Sequence, residues 1–279
     1  MKNTFRLFAA IAVCTMLFAS CKKEPTPTPE PEPTIETGLE GQFMPERKIA
    51  SIIRFNLVGD SLSPLVQNYY EWDGDLLSKI TQNQFGGTFV ASETIHYDSL
   101  NRISKIDYVG GGGTNTTFLE YVYEGKELAK VNRYKENGEL FEEYTFIRTD
   151  GKVTEVQKYT YMETTDYSFH TFVWEGDNTI QNTLTENGAP IPTDNTFDDK
   201  MNPLYGLYET GFYSNLEVVF SANNLLTSTT VIDVGGINLT TTYTYEYEYD
   251  DKGYPVKETC VKNLGAINST TVSNFTYLE

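Results

Sequence analysis

Cysteine, histidine and catalytic signatures are all scarce in this chain. Of three cysteines and two histidines in 279 residues, none falls in a Cys-x-x-Cys or His-Glu-x-x-His spacing, and no Gly-x-Ser-x-Gly occurs. So few thiols exclude a disulfide framework within the chain. Cys260 stands alone in a strand-like context and reads as a buried structural thiol. As a nucleophile it would need a base, and only His96 and His170 could supply one. Positive charge is scarce too: 21 Lys and Arg stand against 39 Asp and Glu, a formal charge of −18. Phosphates repel such a chain, which excludes nucleic acid and anionic membrane surfaces as partners. Helical periodicity is nearly absent. Aromatic residues, at 14%, are too many for a disordered acidic tail.

What is present begins with an address. Lys2 and Arg6 form a basic start, and Leu7 to Ala19 is an apolar run of 13 residues, signal-peptide length and too short to span a bilayer. It ends in Leu17-Phe18-Ala19-Ser20-Cys21, which resembles the lipobox of bacterial lipoproteins, with Phe18 where Leu or Val is usual. The resemblance implies cleavage before Cys21 and acylation of its thiol. Loss of Lys2 and Arg6 then takes the formal charge from −18 to −20. Pro25, Pro27, Pro29, Pro31 and Pro33 alternate strictly. Alternating proline fixes φ and removes donors, so an extended tether is expected. At ~3.1 Å per residue, ten residues give a stand-off of roughly 30 Å. The expected organisation is a signal over 1–20, a lipid-anchored tether over 21–44 and one domain over 45–279. Export to the cell envelope, at the outer membrane, follows, with the membrane reached through Cys21.

The domain reads as a repeat. Strand-like stretches end on Trp72, Tyr97, Tyr123, Phe146, Trp174, Phe197, Phe220 and Tyr249, with a period of about 25 residues. Each aromatic precedes a polar turn, such as Asp73-Gly74-Asp75 or Asp250-Asp251-Lys252-Gly253, where Gly, Asn and Asp serve tight reversal. Two apolar residues three apart then follow, as in Leu77 and Ile80, Ile103 and Ile106, Leu128 and Val131, or Val153 and Val156. In a regular strand that separation points to opposite faces, so a bulge after each turn is expected. The approaching strands alternate: Tyr243, Tyr245, Tyr247 and Tyr249 oppose Thr244, Glu246 and Glu248. Arg47 to Leu57 reads as a returning strand and Thr270 to Leu278 as an approaching one; paired, they would close the sheet. The pattern weakens from Asn187 to Leu216. There Tyr205, Tyr208, Phe212 and Tyr213 are spaced as in a helical turn, although Gly206 and Gly211 count against a long helix.

Tyr249-Asp250-Asp251-Lys252-Gly253-Tyr254-Pro255-Val256 and Tyr97-Asp98-Ser99-Leu100-Asn101-Arg102-Ile103 resemble the YD repeats of RHS-type proteins. Those repeats build long antiparallel sheets that wrap into shells. Lipobox, proline tether, repeat and Asp198-Asp199-Lys200-Met201-Asn202-Pro203 together look like uncharacterised gut-bacterial (Bacteroidetes-type) lipoproteins with a porin-like fold. The resemblance implies an all-β antiparallel meander of about 16 to 18 strands, closed or nearly closed. A membrane barrel needs an apolar outward band. The second face here carries Glu, Thr, Lys and Asn, and mean hydropathy is −0.40, so a water-soluble barrel or curled sheet is expected.

No site rises above this background. Gly110 to Gly113 lacks the helix a phosphate cradle needs. The acidic turns lack calcium-loop spacing and are explained by turn chemistry. No cofactor and no metal is expected. Tyr205, Tyr208, Phe212 and Tyr213 are the candidate ligand contacts, because lost alternation leaves room for exposure. The favoured function is a non-catalytic envelope binding module for a glycan, peptide or protein. A carboxylate-based glycan hydrolase and a structural shell are the alternatives.

Overall fold

The computed structural model describes residues 42–43, 45–84, 90–110, 116–161, 165–207 and 216–279. Cys21, the tether up to residue 41, and Tyr208, Phe212 and Tyr213 lie outside the described residues. Gly38–Glu279 forms one compact unit. Its strands are β1 (Ile49–Val58), β2 (Ser61–Asp73), β3 (Leu76–Gln84), β4 (Val90–Tyr97), β5 (Ile103–Gly110), β6 (Thr116–Glu124), β7 (Glu127–Lys135) and β8 (Leu140–Thr149). They continue as β9 (Lys152–Tyr161), β10 (Thr165–Glu175), β11 (Asn178–Glu186), β12 (Ala189–Met201), β13 (Asn223–Val234), β14 (Ile237–Tyr249), β15 (Pro255–Leu264) and β16 (Ile267–Tyr277). A short helix, α1 (Leu216–Phe220), precedes β13. Each strand pairs antiparallel with its chain neighbours, and β1 pairs with β16, so sixteen strands close a barrel. At ~4.8 Å between strands tilted by roughly 40° to the axis, the perimeter is about 100 Å and the barrel about 32 Å across.

The bulge expected after each turn is there. Glu71 and Trp72 face Lys79 and Leu77, which leaves Ser78 extra. The same shift recurs at Ser104, Ala129, Thr154, Ile180, Leu226 and Val256. The eighth copy is split between the termini: Tyr277 faces Ile49 and Thr276 faces Ser51, leaving Ala50 extra. An extra residue restores the face, so Leu77 and Ile80, three apart, both point inward and are both buried.

A bulge also frees a backbone carbonyl from the ladder, and a buried carbonyl needs a donor. The next copy supplies one every time. Trp72 Nε1 donates to Ile49 O (2.8 Å), Tyr97 OH to Leu77 O (2.7 Å), and Tyr123 OH to Ile103 O (2.7 Å). Arg148 Nη1 donates to Leu128 O (2.7 Å), Trp174 Nε1 to Val153 O (2.7 Å), and Asn195 Nδ2 to Thr179 O (3.2 Å). Tyr247 OH reaches Leu225 O (3.0 Å), and Tyr277 OH reaches Pro255 O (2.8 Å), completing the ring. The repeat therefore uses Trp and Tyr because each brings apolar bulk with a donor at its tip. At about 1 kcal/mol per neutral bond, the ring is a distributed fastening.

Two of the sequence alignments are corrected by this register. Arg148, not Phe146, occupies the slot before its turn, opposite Val153. Phe220 ends no hairpin strand; it lies in α1. The Phe197 and Phe220 copies are one unit, because Phe197 pairs with Leu225 across the connection that holds α1. Asp198 is accordingly a clamp within β12 rather than a turn residue. It accepts Lys200 N (2.9 Å) and Asn224 N (3.1 Å), and the Tyr249 hydroxyl donates to it. The helical turn expected from Tyr205, Tyr208, Phe212 and Tyr213 falls mostly outside the described residues; of it, Tyr205 lies in a turn at Pro203–Gly206.

That connection folds into the turn-bearing end of the barrel. Leu207, Leu216, Val219 and Phe220 are buried there with Ile49, Leu77, Ile103, Leu128 and Val153 from the strands. Phe220 meets Phe172 edge-on at 5.2 Å between ring centroids. Asn202 Nδ2 donates to Val218 O (2.7 Å) and Ser221 O (3.0 Å), holding the connection together. Phe43 is buried in the same core and packs on Trp72. The packed body thus reaches back into the stretch read as tether.

At the opposite end one glycine is dictated by its neighbour. A Cβ on Gly110 would stand 2.1 Å from Val90 O, so no other residue fits without moving β4 away from β5.

Candidate functional site

The apolar filling stops partway along the barrel. Residues directly opposite in an antiparallel pair share a face, so the inner wall can be followed strand by strand from Ile52. Beyond the core layer it carries Arg54, Ser273, Glu258 and Tyr247 on β1, β16, β15 and β14. Cys260, Tyr245, Lys262 and Tyr243 follow towards the far end. About half a turn of the barrel away, β7, β8 and β9 present Arg133, Glu142, Tyr144 and Lys158. His170 on β10 continues that wall, opposite Val156. Arg54 points inward yet is exposed, so water reaches this half. The barrel is a cup, filled at the turn end and wet above.

The two carboxylates on these walls behave oppositely. Glu142 is buried between Arg133 (2.5 Å) and Lys158 (3.0 Å), and the Tyr144 hydroxyl donates to it at 3.0 Å. Burial alone would raise its pKa, but the two cations outweigh burial and hold it below the usual carboxylate range. Glu258 is pushed up by burial, which Arg54 and the Ser273 hydroxyl (3.1 Å) offset only in part. Beneath it, Asn202, Pro203 and Leu204 meet Tyr245, Tyr247 and Glu258 around a cavity of about 50 Å³, room for a water or two. Burial lowers the pKa of His170 to about 4, and its Nδ1 has no hydrogen-bond partner among the described residues. Burial raises the Cys260 thiol, which is buried as the sequence implied.

Tyr243, Tyr245, Tyr247 and Tyr249 form a ladder along the inner face of β14, with centroids 6.5 Å apart for Tyr245–Tyr247 and 5.8 Å for Tyr247–Tyr249. The lower two are occupied structurally, Tyr247 on Leu225 O and Tyr249 on Asp198. Tyr243 lines the wet half, and Tyr245 stands between it and the small cavity that it helps to line. Lys262 Nζ lies 5.4 Å from the Tyr243 centroid.

Of the candidate contacts named from sequence, only Tyr205 is described. It is 51% exposed, on the Pro203–Gly206 turn at the filled end, and does not line the cavity. The lumen residues were missed because they come from eight or more strands whose closure decides what faces inward. The period-two tyrosines of β14 were the one available signal, and they read as core. The acidic turns do backbone work: Asp98 Oδ1 accepts Leu100 N and Arg102 N, and Asp250 Oδ1 accepts Lys252 N and Tyr254 N. His96 sits on the outer face against Asp107 at 2.8 Å. Among the described residues, no group of three His, Cys, Asp or Glu side chains is placed to hold a metal.

No family model and no curated protein matches the chain. Solved structures do match. The crystal structure of a porin-like protein from Bacteroides uniformis ATCC 8492 aligns with a TM-score of 0.55 at 14% identity, over 82% of this chain and 98% of that one. A porin-like protein from Bacteroides vulgatus ATCC 8482 aligns at 0.49 and 10% identity, over 84% and 99%. At such identity the likeness is one of fold, and the all-β meander closed into a barrel is the fold shared with the first of these porin-like proteins.

Proposed function

We propose that this protein is an exported envelope lipoprotein, anchored at the outer membrane through Cys21, that binds a polar ligand in its lumen without transforming it. The observation that carries the reading is the inner wall itself: a wet half lined by tyrosines, amides and charged groups, with an apolar rim of Ile232, Leu239, Leu264 and Ile267, above a filled base. Mouths of barrels that end in a packed floor retain ligands rather than pass them. Tyrosine faces with amide and hydroxyl groups suit a saccharide before a peptide. The fold likeness to porin-like proteins of Bacteroides agrees with an envelope setting.

The outer face supports exposure to water rather than lipid. Lys130 pairs with Glu143 (3.0 Å), Lys105 with Asp107 (2.7 Å) and Lys257 with Glu248 (2.6 Å) at positions where a membrane barrel carries its apolar band. Glu142 and Glu258, the two wall carboxylates with shifted pKa values, are not placed as a hydrolytic pair. Glu142 on β8 and Glu258 on β15 are seven strands apart of sixteen, and a glycosidase pair must stand within roughly 10 Å. Each is also committed to neighbours in its own wall.

The test is a thermal-shift screen of residues 38 to 279 against neutral and acidic oligosaccharides, peptides and divalent ions. A saccharide that raises the midpoint in proportion to its concentration supports the reading. A flat panel overturns it. Radiolabelled palmitate incorporated by the wild-type chain and not by Cys21→Ala checks the anchor.

A further inference from the structure

We propose that the wall built by β14, β15, β16 and β1 selects a carboxylate-bearing saccharide, a uronic-acid oligosaccharide, using Arg54 and Lys262 for the carboxylates and the Tyr243 and Tyr245 rings for the sugar faces. The inference rests on the lumen reading above and narrows its ligand.

Arg54 carries the argument. A guanidinium on the inner face of a barrel would ordinarily be spent on a carboxylate. Here Arg54 makes one side-chain hydrogen bond, Nε to Ser273 Oγ at 3.3 Å, and no ion pair within 4 Å among the described residues. Its nearest acid, Glu258, is the one that burial biases towards the neutral form. The planar fork is therefore open towards the lumen, and a carboxylate is the group that such a fork grips with two parallel bonds. Lys262 stands on the same wall, four residues further along from Glu258 on β15, over the Tyr243 ring and without a described carboxylate partner.

Over the whole lumen the named charges balance, but the acids other than Glu258 stand on other walls. On the opposite wall Arg133 and Lys158 share the single carboxylate of Glu142, leaving one positive charge over. Glu93 on β4 faces Tyr108, and Asp166 and Glu186 sit on the inner face near the mouth. The chain as a whole carries −18, so its excess acid lies on the outside and in the turns. The aromatic ladder adds a reason for sugar over a small anion. Tyr243 and Tyr245 stand two residues apart on one face of β14, and the CH faces of sugar rings stack on aromatic rings.

The experiment is calorimetric titration of residues 38 to 279 with a trimeric uronic-acid oligosaccharide and with its methyl ester, which removes the charge and keeps the sugar. The acid should bind at least about tenfold more tightly than the ester, with the difference shrinking as salt rises. The Arg54→Met, Lys262→Met double variant should remove the acid's advantage over the ester, with a much larger loss for the acid than for the ester. Arg54→Lys, which keeps the charge and loses the fork, should fall between, and serves as the readout where the double variant does not melt cooperatively. Equal affinity for acid and ester overturns this inference and leaves the lumen reading standing. An acid preference untouched by both variants overturns the placement on this wall. Binding of neither sugar, alongside a positive thermal shift with an uncharged ligand, overturns the saccharide acid alone.

Discussion

Ile49, Leu77, Ile103 and Leu128 are fully buried at the turn-bearing end of the barrel. Five residues further along the same four strands, the inner face carries Arg54, Gln82, Tyr108 and Arg133. One sheet thus supports two environments, a dry floor and a wet cup, and the bulge is the device that separates them. On either side of it an apolar residue turns inward, as Leu77 and Ile80 do, and both belong to the core that includes α1. Above it, ordinary alternation resumes, and the inner side chains have nothing across from them to pack on. A sixteen-stranded perimeter is too wide for side chains alone to fill. Floor and wall therefore answer to different constraints: packing volume for one, charge compensation and hydration for the other.

The comparison can be broken most sharply at its two buried carboxylates. Glu142→Gln leaves Arg133 and Lys158 without their shared acid and should cost about 3–5 kcal/mol at neutral pH, read by urea denaturation. Glu258→Gln should be neutral or stabilising under the same conditions, because burial already favours the uncharged form. The pH dependence has opposite signs. The Glu142 contribution is present above its ordinary value of 4.5 and fades as pH falls through the lowered native value. Glu258 binds its proton more tightly when folded, so its contribution falls as pH rises from 4.5 through the raised native value. If both variants destabilise equally, the two walls are not distinct.

Leu128→Ala removes a fully buried floor residue and should cost about 2–5 kcal/mol, against less than about 0.5 kcal/mol for Thr241→Ala on the upper wall. Paired denaturation curves decide it, and similar losses would mean that the upper half is packed as tightly as the floor.

His170 lies at the border between the two. Its native value of about 4 against the ordinary 6.5 means that the folded state resists the proton. Stability is whole above pH 6.5 and is lost as pH falls towards 4, by about 3 kcal/mol at most. A ring-proton titration by NMR with a midpoint near 6.5 would show that water and protons reach the ring freely.

The smallest effect concerns the fastening ring. Tyr97→Phe keeps the ring contacts and deletes the donor to Leu77 O, so a loss of about 1 kcal/mol is expected. Tyr161→Phe on an exposed tyrosine should be silent. A silent Tyr97→Phe would mean that water serves the freed carbonyl equally well.

Much of the floor was legible in the sequence. The aromatic-turn repeat, the three-residue apolar spacing and the half-units at the two ends predicted hairpins, bulges and closure, and the register shows all of these. The two misread copies share a cause. Phe146 hid Arg148 because an arginine can do the donor's work of a tyrosine tip, and identity was taken for role. Phe220 mimicked a strand end because an aromatic before a polar triplet looks the same in a helix. The lumen was not legible: Arg54, Lys262 and the pair Arg133–Lys158 are ordinary outward-looking charges until the barrel's closure turns them inward.

Local chemistry explains this division. Alternation, turn propensity and the bulge are decided within a few residues, so the sequence alone determined a closed meander of antiparallel hairpins. Which face becomes the inside, which carbonyl a tyrosine two hairpin strands away must satisfy, and whether a buried acid meets two cations or one depend on partners some 10 to more than 200 residues distant in the chain. Those were decided only when the first strand paired with the last, because only a closed barrel has an interior.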